Sequence, residues 1–235
     1  MSLKQITKFI GFVTDILFPI ICVECQKEGE WWCTQCLSQS QSNSINLCPV
    51  CNCKTIHGET CVNCRGVSYL DGVTAFFKYN ESAAVGKLIK NFKYNYARGI
   101  IDVWRQIINN RLSEISAFNY KAVVVPVPLH SRRLRERGFN QAGLLAQIIG
   151  ASLNLKLEET GLKRIRYTNQ QARLTGMERR QNLKSAFVWN MSVSVPYEVI
   201  LVDDVFTTGA TMQQCARILK AVGVKKVWGL VMARG

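Results

Sequence analysis

From about Ser68 onward the chain switches between two hydrophobic patterns. Short β-branched or aromatic runs at Gly72–Lys78, Ala122–Val127, Glu198–Val202 and Lys226–Met232 predict strands, because such side chains suit a buried, pleated surface. Longer amphipathic stretches predict helices over Ala83–Lys93, Ile100–Leu112, Gln141–Leu153 and Ala210–Val222. Strands alternating with helices imply an α/β fold, a parallel sheet with helices on both faces and functional loops at the strands' C-terminal ends. Ahead of it, Leu3, Ile6, Ile10, Val13 and Leu17 recur every three or four residues and mark an amphipathic helix over 1–20 that stops near Pro19. Between these parts, residues 21–67 lack regular periodicity and are punctuated by Pro49, Gly58 and Gly66. The expected organisation is therefore 1–20, 21–67 and 68–235.

The apolar part of the first block, Phe9–Ile21, is 13 residues long, is interrupted by Asp15, and no small-residue cleavage site follows it. That argues against an export signal and for a helix that docks on its own protein rather than on a membrane. A cytoplasmic protein that is not itself transmembrane is expected. Charge adds a second constraint: 30 Lys+Arg against 16 Asp+Glu give a net +14. Such an excess favours polyanions, meaning nucleic acid, nucleotides or acidic lipid surfaces.

Nine of the ten cysteines precede residue 65, and only Cys215 lies beyond. Eight pair as Cys22/Cys25, Cys33/Cys36, Cys48/Cys51 and Cys61/Cys64. Two residues between cysteines let a knuckle turn offer both thiolates to one metal, and two knuckles complete a tetrahedral zinc site. Four pairs supply two tetrathiolate centres, used either sequentially or crossed. A closed set of four thiolates has no open position for substrate, so these Zn²⁺ ions are structural, holding together a segment too small to build its own core. Cys53 is an extra thiol able to compete with Cys51, and His57 lies between the third and fourth knuckles. Trp31 and Trp32 sit between the first two knuckles, where they suit packing or stacking on bases.

The most informative stretch is Val199–Thr211. A buried strand ends in Asp203-Asp204, and a turn of small and hydroxylated residues, Thr207, Thr208, Gly209, Ala210 and Thr211, leads into a helix. Turn amides and the positive end of a helix surround phosphate well. Gly209 lets the backbone approach closely, and the two acids stand where sugar hydroxyls would donate to them. Neither G-x-x-x-x-G-K-[ST] nor a strand-linked G-x-G-x-x-G occurs.

A second loop, Pro126–Gln141, follows the strand at 122–127 and carries His130, Arg132, Arg133, Arg135 and Arg137. Its guanidiniums suit pyrophosphate or a nucleic-acid backbone. A third basic segment, with Arg164 and Arg166 at its start and Arg179 and Arg180 further on, has a polar, Gly-containing middle and suggests a lid over about 164–183. Lys87, Lys90 and Lys93, with Tyr94 beside them, form a further nucleic-acid candidate, since cations interleaved with rings bind single strands.

The Asp203–Thr211 loop resembles the 5-phosphoribosyl-1-pyrophosphate (PRPP) signature of type I phosphoribosyltransferases. Taken with the cysteine pairs, Val-Pro-Val-Pro-Leu-His…Arg-Leu-Arg-Glu-Arg-Gly-Phe-Asn-Gln and Gln-Gln-Ala…Arg-Arg-Gln-Asn-Leu, the chain from Cys22 to Arg234 is similar to the ComF family of competence proteins, ComFC and GntX-like relatives included. The resemblance implies a double zinc ribbon ahead of a type I phosphoribosyltransferase-like domain. It implies that Asp203 and Asp204 bind the ribose hydroxyls and that residues 207–211 hold the 5′-phosphate. It also implies handling of single-stranded DNA during natural transformation, beside a helicase-type partner at the inner face of the membrane.

Three functions follow as expectations. The first is a DNA-uptake protein that binds PRPP and single-stranded DNA. A second is an active phosphoribosyltransferase, with Mg²⁺ and arginines stabilising departing pyrophosphate. The third is a PRPP-sensing interaction module. No catalytic residue or acceptor pocket is identifiable from the sequence.

Overall fold

The computed structural model describes residues 19–40, 45–94, 99–111, 121–166 and 186–235. The amphipathic block at 1–18 and most of the expected lid lie outside them, as does the Tyr94 side chain. Six strands form the main sheet: β1 (Ile45–Asn46), β2 (Gly72–Lys78), β3 (Val123–Pro126), β4 (Lys156–Leu157), β7 (Glu198–Phe206) and β8 (Lys226–Arg234), in the order β1-β2-β8-β7-β3-β4. All pairings are parallel except β1 on β2, where Ile45 faces Ala75 and Asn46 faces Thr74. The sheet is thus the mostly parallel one that the alternating pattern implies, with one antiparallel strand contributed by the cysteine-rich segment.

Helices α1 (Thr34–Gln39), α2 (Ala84–Tyr94), α3 (Ile100–Asn110), α4 (Ser131–Arg137), α5 (Gln141–Leu153) and α6 (Ala210–Ala221) occupy the described connections. The strands' period of two sends alternate residues to two cores. Val124, Ile200, Val202, Leu230 and Met232 meet α2, α3 and α5 around the buried Trp104 and Phe92. Val125, Val199, Leu201 and Val231 meet Met212, Cys215 and Leu219 of α6. Onto this second face also pack β5 (Leu162–Arg164) and β6 (Phe187–Trp189), an antiparallel pair in which Leu162 faces Trp189 and Arg164 faces Phe187. The expected lid lies between these two strands in sequence, mostly outside the described residues.

Two elements differ from the sequence pattern. The basic loop contains α4, because His130 Nδ1 caps it by accepting from Arg132 N at 3.2 Å, and Gly138 closes it at φ +79°. The reading ending the strand at Val202 is corrected as well: β7 runs on to Phe206, since β8 continues beside it with Val205 opposite Ala233 and Phe206 opposite Arg234.

The cysteine-rich segment is stitched to the sheet rather than tethered to it. Gly58 presses its α-carbon on the Val73 carbonyl, where any side chain would collide, and Glu59 bridges Gly72. On the other core, Trp32 is buried against Phe77 with ring centroids 5.8 Å apart, which resolves the role of Trp32 in favour of packing. Trp31 lies against Gly99, at the start of α3.

Candidate functional site

The eight paired cysteines gather sequentially, Cys22, Cys25, Cys33 and Cys36 in one cluster and Cys48, Cys51, Cys61 and Cys64 in the other. The two centres are built alike. Gln26 and Asn52, each following the second cysteine of its knuckle, take positive φ of 64° and 60°. Their amides return to the carbonyls of Cys22 and Cys48 at 2.9 and 3.2 Å. Cys33 N then donates to Cys22 Sγ at 3.4 Å, and Cys61 N to Cys48 Sγ at 3.5 Å. Burial raises the Cys22 and Cys48 thiols, but these and neighbouring backbone donors outweigh it and bring both down to about 6.

The donor sets fit zinc. Four sulfurs at about 2.3 Å from one ion stand about 3.8 Å apart. Cys25 and Cys33 sulfurs are 3.7 Å apart and those of Cys51 and Cys61 3.6 Å, too far for a disulfide. Crossed pairing is thereby set aside. Cys53 is not one of the four clustered donors, although its thiol hydrogen-bonds to those of Cys51 and Cys61; its carbonyl accepts from Cys48 N at 2.8 Å, so its backbone completes the knuckle. His57 is exposed and likewise no part of a cluster among the described residues.

The second feature is a cleft of about 330 Å³ at the C-terminal ends of the parallel strands. The connection after β3 leads outward to β4, whereas that after β7 leads the other way to β8. The crevice between β3 and β7 is therefore the topological switch point, where open α/β sheets take their ligands. Asp203, Asp204, Thr207 and Thr211 line it from the β7 side, Arg133, Arg137 and Gln141 from the β3 side, and Arg164 from β5. Arg132 instead pairs with Glu136 at 3.0 Å on the exposed face of α4, and Arg135 and Arg166 are exposed outside the cleft.

Because β7 continues through the two acids, strand alternation sends their side chains in opposite directions. Asp204 meets α2, where Lys93 Nζ stands 2.8 Å from its Oδ2. Asp203 accepts from Asp204 N at 2.9 Å, and burial, reinforced by the field of Asp203, raises the Cys215 thiol on the α6 side. Burial, reinforced by the charge of Asp204, pushes the Asp203 carboxyl up to about 8. Burial lowers the Lys93 ammonium, but Asp204 and Asp203 more than offset this and hold it above its ordinary value.

The turn after β7 keeps its backbone open. Gly209 is the N-cap of α6 at φ +69° with no side-chain cap, although Thr208 Oγ1 approaches Ala210 N at 3.4 Å. Apart from Ala210 N, the first amides of α6 are thus left for an incoming acceptor.

Lys93 entered the sequence reading as a nucleic-acid residue, and the structure brings it to the cleft instead. Lys87 is also engaged internally, donating to the Val23 carbonyl at 3.0 Å beside the first cysteine cluster. Lys87 and Lys90 are both exposed. Sequence reasoning missed Tyr79 and Glu81, which line the cleft from the C-terminal end of β2. The rule placing ligands at strand ends would have pointed to them.

Fold and sites together define a class, an α/β protein with twin tetrathiolate centres and a switch-point cleft carrying both carboxylates and guanidiniums. The chain is 31% identical to Competence protein F of Haemophilus influenzae over 231 residues, covering 92% of this chain and 98% of that one. It is 28% identical to DNA utilization protein YhgH of Escherichia coli over 226 residues, 90% and 96% of the two chains, and 26% identical to Competence protein ComFC of Bacillus subtilis over 204 residues, 84% and 81%. No protein-family model matches the chain. The protein belongs to the ComF family. None of its described helices is long and apolar enough to cross a membrane.

Proposed function

We propose that this protein acts in DNA uptake, binding single-stranded DNA and holding PRPP, or a closely similar phosphorylated sugar, in the switch-point cleft. Competence and DNA utilization appear in the names of its relatives. The observation that carries the PRPP reading is the convergence of Asp203 and Asp204, of Thr207 and Thr211 from the two ends of the turn, and of Arg133 and Arg137 on one cleft. In this reading the acids accept the ribose hydroxyls and the turn amides hold the 5′-phosphate. Arg133, Arg137 and Arg164 face the pyrophosphate, whose Mg²⁺ arrives with the ligand and neutralises part of its charge.

Ligand entry has a local consequence. A sugar hydroxyl that donates to Asp204 competes with Lys93, so the ion pair loosens as the sugar seats. Burial and the charge of Asp204 hold the Asp203 carboxyl up at about 8, and a cation arriving with the ligand would favour release of its proton to solvent. A transferase reading is favoured by one further observation: Arg164, at the end of β5, joins Arg133 and Arg137 in lining the cleft, as stabilisation of a departing pyrophosphate would require.

Calorimetry of the zinc-loaded protein with PRPP and Mg²⁺, native against Asp203→Ala/Asp204→Ala, tests the cleft. Saturable binding that the double variant loses supports the reading; no binding by the folded native chain overturns it. For DNA, the expected result is binding of single strands that weakens steeply with salt, reflecting displaced counterions. Binding indifferent to salt would remove the basis for that part of the proposal.

A further inference from the structure

We propose that the second zinc centre holds the phosphate turn in place through two buried side chains, Arg234 and Phe206, so that metal occupancy at Cys48–Cys64 tunes the turn. Arg234 is the last residue of β8 and only 2% exposed. Its Nη1 donates to the Leu47 carbonyl at 2.6 Å, and its Nη2 to the Cys48 carbonyl and to Asn52 Oδ1, both at 2.7 Å. All three acceptors belong to the first knuckle of the second centre, and Asn52 is the residue whose left-handed backbone closes that knuckle. With both Nη groups bonded to the knuckle and Nε left without a partner, this guanidinium requires the knuckle's folded shape, because in any other shape a buried cation loses its acceptors.

From Arg234 the connection runs sideways to Phe206, its cross-strand neighbour on β7. The guanidinium carbon lies 5.0 Å from the Phe206 ring centroid, a cation–π arrangement. Phe206 in turn packs against the α-carbon of Gly209 so closely that a methyl group there would run into the ring. Gly209 is the left-handed residue of the turn and the N-cap of α6. The sequence Cys48–Arg234–Phe206–Gly209 is thus a continuous chain of contacts between two sites that the sequence reading treats as separate. Arg234 and Phe206 touch no proposed ligand, so they are positioning residues.

This inference rests on the zinc reading and extends the phosphate reading, and the two are separable by experiment. Amide hydrogen exchange across Phe206–Thr211 reads the turn without ligand. It would be followed in the full zinc-loaded chain, in Cys61→Ser, in Arg234→Met and in the variant combining them. Both single variants should exchange about tenfold faster in the turn, within the range usual for coupled sites. The combined variant should be no faster than either, as for links in one chain of contacts. Unchanged exchange in a folded Arg234→Met protein, or additive effects in the combined variant, would overturn the link. Should Arg234→Met fail to fold, Arg234→Lys and Phe206→Leu take its place, with a smaller acceleration expected and no acceleration counting against the proposal.

PRPP affinity supplies the second arm, with about tenfold weaker binding expected in Cys61→Ser and in Arg234→Met. Linkage requires the reciprocal effect, PRPP raising the zinc affinity of the native second centre by the same factor in equilibrium competition with a chelator. A native chain that binds no PRPP sinks the ligand reading, while the exchange arm still decides whether the centre holds the turn.

Discussion

Lys93 Nζ stands 2.8 Å from Asp204 Oδ2, and the two side chains are 25% and 10% exposed. The pair joins the last turn of α2 to the acidic end of β7. It lies between the exposed case, worth under about 1 kcal/mol, and the fully buried one, where removing a partner costs roughly 3–5 kcal/mol. Lys93→Met should therefore cost about 2 kcal/mol in urea unfolding at neutral pH. A loss within about 0.5 kcal/mol would mean that water already solvates Asp204.

Asp203 yields a pH signature of defined sign. Its carboxyl titrates at about 8 in the folded protein against 3.8 ordinarily, so the folded state binds this proton more tightly than the unfolded chain does. Its contribution is fully present below about pH 4 and declines as pH rises toward 8. Asp203→Asn keeps the shape and removes the titration. The urea midpoint of the variant relative to native should rise between pH 4.5 and 8; parallel curves would show that Asp203 is ionised throughout.

How much of this was legible beforehand depends on the kind of signal. The Gln141–Leu153 helix and the Gly72–Lys78 strand match their expected bounds, because apolar side chains decide those segments locally. Helix α4 was hidden by its own charges: Ser131–Arg137 has no buried residue, so no hydrophobic period marks it, and its caps are one histidine and one glycine. The extension of β7 to Phe206 depends on β8 lying alongside, a partner 28 residues away in sequence at Phe206 and Arg234. For the cleft, the β7 turn and the β3 loop were readable from residue chemistry. The arrival of Lys93 depends on how α2 packs across the sheet, which no local pattern records.

Gly209 should be intolerant of any side chain for two separable reasons. Its φ of +69° costs an L-residue about 1–2 kcal/mol, and a methyl group would meet the Phe206 ring, adding about 1–3 kcal/mol of overpacking. Gly209→Ala should lower stability by roughly 2–5 kcal/mol, read from thermal or urea unfolding. In a Phe206→Leu background the steric part should shrink while the backbone part persists. Equal costs in both backgrounds would assign the whole effect to backbone strain.

The cysteines give the sharpest count. Nine lie before residue 65, yet the geometry uses eight. Native mass spectrometry should find two zinc ions per chain. Cys51→Ser should remove one, because its sulfur belongs to the second cluster, whereas Cys53→Ser should remove none, because Cys53 serves its knuckle through a carbonyl that serine also carries. Cys25→Ser should remove the other ion and leave the second centre filled. Loss of zinc in Cys53→Ser, with retention in Cys51→Ser, would mean that the extra thiol replaces Cys51 as ligand and that the knuckle closes one turn later than the geometry indicates.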